Sequence, residues 1–102
     1  ADFALFYADM RKRYRALDEC LLRRYCHAYG TRITLLLGDG ATPPELGMHF
    51  GEGLYETEVR FLVAHEFATQ ADDILWRRTK LGVHLSDAQI AAFTEWFETT
   101  IA

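Results

Sequence analysis

The chain has 102 residues, half of them apolar and 14% aromatic, with 25% charged and a formal net charge of -4. That balance supports a packed core and excludes intrinsic disorder, and this length is that of a single domain, burying roughly two-thirds of its unfolded surface. No apolar run approaches the roughly 20 residues of a bilayer-spanning helix and no signal peptide opens the chain; it begins Ala1-Asp2-Phe3 without an initiator methionine, which predicts a piece of a longer protein.

Phe3, Phe6, Tyr7, Met10 and Tyr14 recur at the three-and-four spacing of an amphipathic helix, covering about residues 2–14. Asp18 starts a second helix, carried by Leu21, Leu22, Tyr25 and Tyr29, and Gly30 stands where a helix end favours positive φ. Thr31 is placed to cap a short third helix that turns Ile33, Leu36 and Leu37 inward. Residues 38–53, with Gly38, Gly40, Gly47, Gly51, Gly53 and the pair Pro43-Pro44, read as one long loop. A fourth helix runs from about Leu54 to Phe67, with Tyr55, Val59, Leu62, Val63 and Phe67 on one face. A fifth starts at Thr69, where Thr69-Gln70-Ala71-Asp72 has capping-box spacing, and stops at Gly82. Ser86-Asp87-Ala88-Gln89 is a second capping box, with Leu85 and Ile90 at the staple positions, and it opens a helix lined by Ile90, Phe93, Phe97 and Ile101. No segment carries a β pattern. The predicted fold class is all-α: a compact bundle of five to six short helices with one long Gly/Pro-containing loop over about residues 38–53.

The chemistry-bearing residues form no catalytic constellation. Gly38-Asp39-Gly40 and Gly51-Glu52-Gly53 imitate phosphate loops, yet Pro43 and Glu56 occupy the third glycine's place of GxGxxG. His65-Glu66 begins a zinc-protease motif that Thr69 interrupts, and His27, His49 and His84 fall at no metal-ligand spacing. Cys20 and Cys26 lie on one helix with a rise between them of about 9 Å, beyond the roughly 7 Å a disulfide tolerates; they read as two small, buried or half-buried thiols of a cytoplasmic protein.

Charge is divided unevenly: residues 1–34 hold seven Lys/Arg against four Asp/Glu, and residues 35–102 hold four against eleven. Arg11, Lys12 and Arg13, with Arg15, Arg23 and Arg24, form a basic strip. It reads either as the solvated face of two helices or as a surface for phosphate, anionic lipid or an acidic partner; the overall acidity argues against nucleic acid. Glu66 and Arg78 fall near the centres of the apolar faces of the fourth and fifth helices at about 100° per residue. A lone buried charge is costly. The two are therefore predicted to meet as a structural pair, or each to bond a nearby backbone group; a catalytic carboxylate at Glu66 is the rival reading. Trp76 lies on the polar face of the fifth helix. With Arg77 and Lys80 it reads as a contact surface, the alternative being that the N-terminal helix or the long loop covers it.

The run Ala71-Asp72-Asp73-Ile74-Leu75-Trp76-Arg77-Arg78-Thr79-Lys80-Leu81-Gly82 resembles the signature near the end of aerobic, FAD-dependent glycerol-3-phosphate dehydrogenases. Arg24-Tyr25 through Tyr29-Gly30, Leu54 to Val59 and Leu62 to Glu66 agree in order and spacing, while Arg15 stands where that family carries a proline. The resemblance covers nearly the whole chain. It implies the C-terminal helical cap of a flavoenzyme that oxidises sn-glycerol 3-phosphate to dihydroxyacetone phosphate and passes the electrons to membrane quinone. FAD and the catalytic residues belong to the N-terminal part, so no catalytic, cofactor-binding or metal residue is carried onto this chain. The implied partners are its own N-terminal FAD domain, a second subunit and the inner face of the cytoplasmic membrane, to which the parent is peripherally bound. The alternative is a stand-alone helical interaction module without enzymatic activity.

Overall fold

A computed structural model describes residues 2–38 and 42–101. Contacts divide the chain into two compact units, Ala1–Gly47 and Met48–Ala102.

In the first unit, helix α1 (Phe3–Arg13) is opened by the Asp2 carboxylate, which accepts from the Ala4 amide, and closed by Arg11, Lys12 and Arg13 at its negative end. Helix α2 (Glu19–Tyr29) starts on the Asp18 carboxylate, as its sequence predicts, and buries Leu21, Leu22, Tyr25 and Cys26. Phe3 of α1 stacks on His27 of α2 at 4.0 Å. Gly30 ends α2 at φ +54, ψ -134, a conformation open essentially to glycine. A 3-10 turn (Gly30–Arg32) leads into α3 (Ile33–Leu37), which buries Ile33, Leu36 and Leu37. Thr31 does not cap it. Its carbonyl instead accepts from the Thr34 hydroxyl. The buried Tyr14 donates its hydroxyl to the Gly38 carbonyl, tying the end of α1 to the end of α3.

The expected long loop is partly structured. Asp39, Gly40 and Ala41 lie outside the described residues, Pro43–Leu46 is a 3-10 turn, and the second unit opens with a hairpin. Strands β1 (His49–Gly51) and β2 (Leu54–Tyr55) pair antiparallel, Gly51 opposite Leu54, which corrects the expectation of no strand. The two turn residues, Glu52 and Gly53, have φ +51 and +80, the pattern of a primed hairpin turn. Helix α4 (Glu56–His65) therefore starts two residues later than its hydrophobic spacing suggests and ends before Phe67. After a connector come an α-turn at residues 71–72, a π-helix (Asp73–Arg78), a 3-10 turn (Leu81–Val83) and α5 (Asp87–Thr100). The predicted Ser86/Gln89 capping box is present in both directions, and α5 buries Phe93 and Phe97. The fold is mostly α, with one small two-stranded sheet.

Candidate functional site

The segment from Glu66 to Gly82 holds the densest set of functional-looking residues, and it is organised by two side chains. Asp73 accepts from the Thr69 amide at 3.0 Å, the Thr69 hydroxyl at 3.2 Å and the Gln70 amide at 3.1 Å. The two amides are orphan donors of a helix start, so the cap is supplied by Asp73 reaching back. Thr69 with Asp72 does not supply it. The Thr69 amide is the first cause holding the Asp73 carboxyl below its ordinary range, and Arg77, 3.8 Å away, adds to it. At the other end Thr79 closes the π-turn, its amide and hydroxyl both donating to the Ile74 carbonyl.

Arg78 donates to the Glu66 main-chain carbonyl at 2.7 Å, so these two residues meet through a side chain and a backbone group. Their burial departs from expectation: Arg78 is exposed and Glu66 half-buried. The extrapolation at constant pitch fails because α4 stops at His65, Phe67 adopts φ +61, and a π-turn advances less per residue than an α-turn. The buried carboxylate of this unit is Glu58, fully inaccessible in the first turn of α4. Sequence spacing did not single it out, although an acid three residues into a helix is a recognisable signal. Trp76 is 43% exposed, and one side of its ring lies so close to Gly82 that a Cβ there would sit 2.7 Å from the ring carbons. Its partial cover thus comes from the turn six residues on. Arg77 and Lys80 are exposed, Lys80 in a left-handed conformation.

In the first unit the basic strip is partly engaged. Arg11 bridges Glu19 at 2.8 Å, and Arg23 lies over the Tyr7 ring at 4.5 Å. Arg13 lies over Tyr14, Arg24 over Tyr25, and Lys12 and Arg15 face solvent. Both cysteines are free, but only Cys26 is buried as expected; Cys20 is exposed, which corrects the reading of two covered thiols, and burial pushes the Cys26 thiol up, partly opposed by Arg23.

A flavin's pyrophosphate needs a helix start with amides to spare. The starts of α1, α2 and α5 are filled by Asp2, Asp18 and Ser86, and that of the π-helix by Asp73. The start of α4 has no side-chain cap but carries Glu56 and Glu58; Glu56 accepts from Arg60 and from the Met48 amide, which in that order hold its carboxyl below the usual range. Occupied amides at four of these starts and two acidic residues at the fifth make them a poor fit to the FAD pyrophosphate. Nor do the described residues bring together three or more His, Cys, Asp or Glu able to hold a metal.

A family model described as the C-terminal domain of alpha-glycerophosphate oxidase matches residues 3–100. The chain belongs to that family. As a member of this domain family it is 44% identical over 91 residues to the aerobic glycerol-3-phosphate dehydrogenase of Escherichia coli K12, covering 89% of this chain and 18% of that protein. It is 42% identical over 98 residues to the D-erythritol 1-phosphate dehydrogenase of Brucella abortus, covering 96% of this chain and 20% of that one. A glycerol-3-phosphate dehydrogenase of Pseudomonas aeruginosa is 42% identical over 91 residues, again 89% of this chain and 18% of its own length. The chain thus spans about a fifth of the curated relatives it matches. The resemblance read from the Ala71–Gly82 run holds at the level of the domain family.

Proposed function

We propose that this chain is the non-catalytic C-terminal domain of an FAD-dependent, quinone-linked dehydrogenase that oxidises sn-glycerol 3-phosphate to dihydroxyacetone phosphate. The observation that carries the reading is the family match over residues 3–100, in a chain about a fifth the length of its dehydrogenase relatives. On this proposal FAD and substrate are held by the larger N-terminal part, and this chain does no chemistry of its own. In this reading all 102 residues act as one cap domain. Trp76, Arg77 and Lys80 contact the rest of the enzyme, and Arg11, Lys12 and Arg13 offer a second surface for another subunit or the inner face of the cytoplasmic membrane. The parent is held there peripherally; no helix among the described residues is long and apolar enough to cross a membrane.

The relative named for D-erythritol 1-phosphate, with its 42% identity over 96% of this chain, favours a second substrate of the same class, a polyol phosphate one carbon longer. Purified full-length protein separates the two. Flavin absorbance with faster quinone reduction on sn-glycerol 3-phosphate than on D-erythritol 1-phosphate supports the first reading, the reverse order supports the second, and a colourless protein inert to both contradicts the assignment.

A further inference from the structure

Helix α1 is eleven residues long and buries none of them. Phe3 stacks on His27, Tyr7 lies under Arg23 and Arg11 bridges Glu19, so the side bearing Phe3, Tyr7 and Arg11 is the one turned to α2. At about 100° per residue, Leu5, Ala8, Asp9 and Lys12 fall on the opposite side. All four are exposed, Leu5 at 69%. A helix with apolar side chains all round is ordinarily covered all round, and α1 is covered on one side only. The outward face is also ordered in charge. Its acid, Asp9, and its base, Lys12, form no ion pair with another described residue. The helix runs from an acidic start at Asp2 to a basic end at Arg11, Lys12 and Arg13.

We propose that this face is a two-fold contact between two copies of the chain, α1 packing antiparallel on α1 of the second copy. A complement to the face needs a base for Asp9, an acid for Lys12 and a surface that admits Leu5 and Ala8. The same face turned end for end meets all three needs. With the two-fold near Ala8, the small side chains there let the helix axes approach to about 8 Å. Each Leu5 then lies along the apolar stem of Lys12 of the second copy. Helical side chains lean toward their own N-terminus, which carries that Lys12 ammonium toward Asp9. The contact is isologous, so each ion pair occurs twice, and the antiparallel dipoles set opposite ends side by side. An anionic bilayer leaves Asp9 facing like charge, whereas the second copy supplies it with a cation. The second copy is thus the occupant of the basic surface proposed above, the reading on which this contact rests. One face of a helix about 16 Å long covers less than the roughly 800 Å² per partner of a standard interface, so α1 is one part of the subunit contact.

The test uses the full-length protein. Ala8→Cys in a Cys20→Ser background is expected to give a disulfide-linked dimer on mild oxidation, mapped by mass spectrometry to residue 8 of both copies. Asp9→Lys and Lys12→Asp each set like charges together and weaken dimerisation about tenfold in sedimentation equilibrium. The double variant Asp9→Lys with Lys12→Asp restores it, which a loss of helix stability would not do. A monomeric protein, a dimer indifferent to both single reversals, or no link between the two residue 8 positions overturns the contact. So does Asp9→Lys protein that gains affinity for phosphatidylglycerol vesicles while its dimerisation is unchanged, an outcome that makes lipid the occupant. Flavin-bound, active enzyme that fails these tests leaves the dehydrogenase reading standing, and a colourless, inactive protein that forms the residue 8 disulfide contradicts that reading alone.

Discussion

Asp73 works as a cap that lies inside its own helix, its carboxylate gathering the Thr69 and Gln70 amides and the Thr69 hydroxyl. These bonds favour the ionised form, so the folded pKa lies below the ordinary value of 3.8. A folded value below the unfolded one stabilises the folded chain above the unfolded pKa, and that contribution is lost as pH falls through the folded pKa. Asp73→Asn is therefore expected to lower stability at neutral pH and to flatten the acid limb of the stability curve. Urea midpoints from about pH 2 to 6 check this, and parallel curves for the two proteins contradict it. Phe67 predicts the opposite sign. Its φ of +61 is strained for phenylalanine and free for glycine, and its ring is 85% exposed, so Phe67→Gly raises stability by about 0.5–1 kcal/mol. The thiols differ as their burial does: a maleimide labels exposed Cys20 quickly and Cys26, 2% accessible with a raised pKa, only on the timescale of unfolding.

At the scale of elements, close approach to glycine governs two joins in the second unit. A Cβ on Gly51, at φ +124, would lie 2.7 Å from Gln89 Nε2 and 2.8 Å from Leu85 Cδ2, against the Ser86 capping box. Gly51→Ala is expected to cost about 2 kcal/mol through combined strain and overpacking, read as a lowered urea midpoint with an unchanged slope. Gly82→Ala pushes the Trp76 ring outward, seen as a red shift of its fluorescence in a Trp96→Phe background; an unshifted spectrum contradicts the stacking. Helix interiors were legible because apolar spacing and hydroxyl or carboxylate caps act within a few residues: Asp18, Ser86-Gln89 and the buried Leu21, Leu22, Phe93 and Phe97 fall where periodicity puts them. The hairpin was hidden because β1 and β2 together hold five residues and their turn places Glu52, a residue without turn preference, at positive φ. The π-turn was hidden because its extra residue per turn is set by packing and by Thr79 closing on Ile74. Reading that segment at α-helical pitch placed Arg78 inside, whereas it reaches back along the surface to the Glu66 carbonyl.

For the whole molecule, the two units differ in charge: the first is basic over residues 1–34, with Arg13, Arg23 and Arg24 over aromatic rings, and the second is acidic, with Arg60 over Trp96. Side chains cap the starts of α1, α2 and α5, the start of α4 carries Glu56 and Glu58, and the described residues hold no cluster of metal ligands. Family membership and a span of about a fifth of the dehydrogenase relatives are the grounds on which we propose that the chemistry lies outside this chain. The most direct test is steady-state quinone reduction by the full-length protein and by the same protein truncated before residue 1. The account predicts that the full-length protein binds flavin and oxidises sn-glycerol 3-phosphate, that the truncated protein retains bound flavin but loses stability, and that the 102-residue chain alone is colourless and inactive. Flavin binding or turnover by the isolated chain would contradict it.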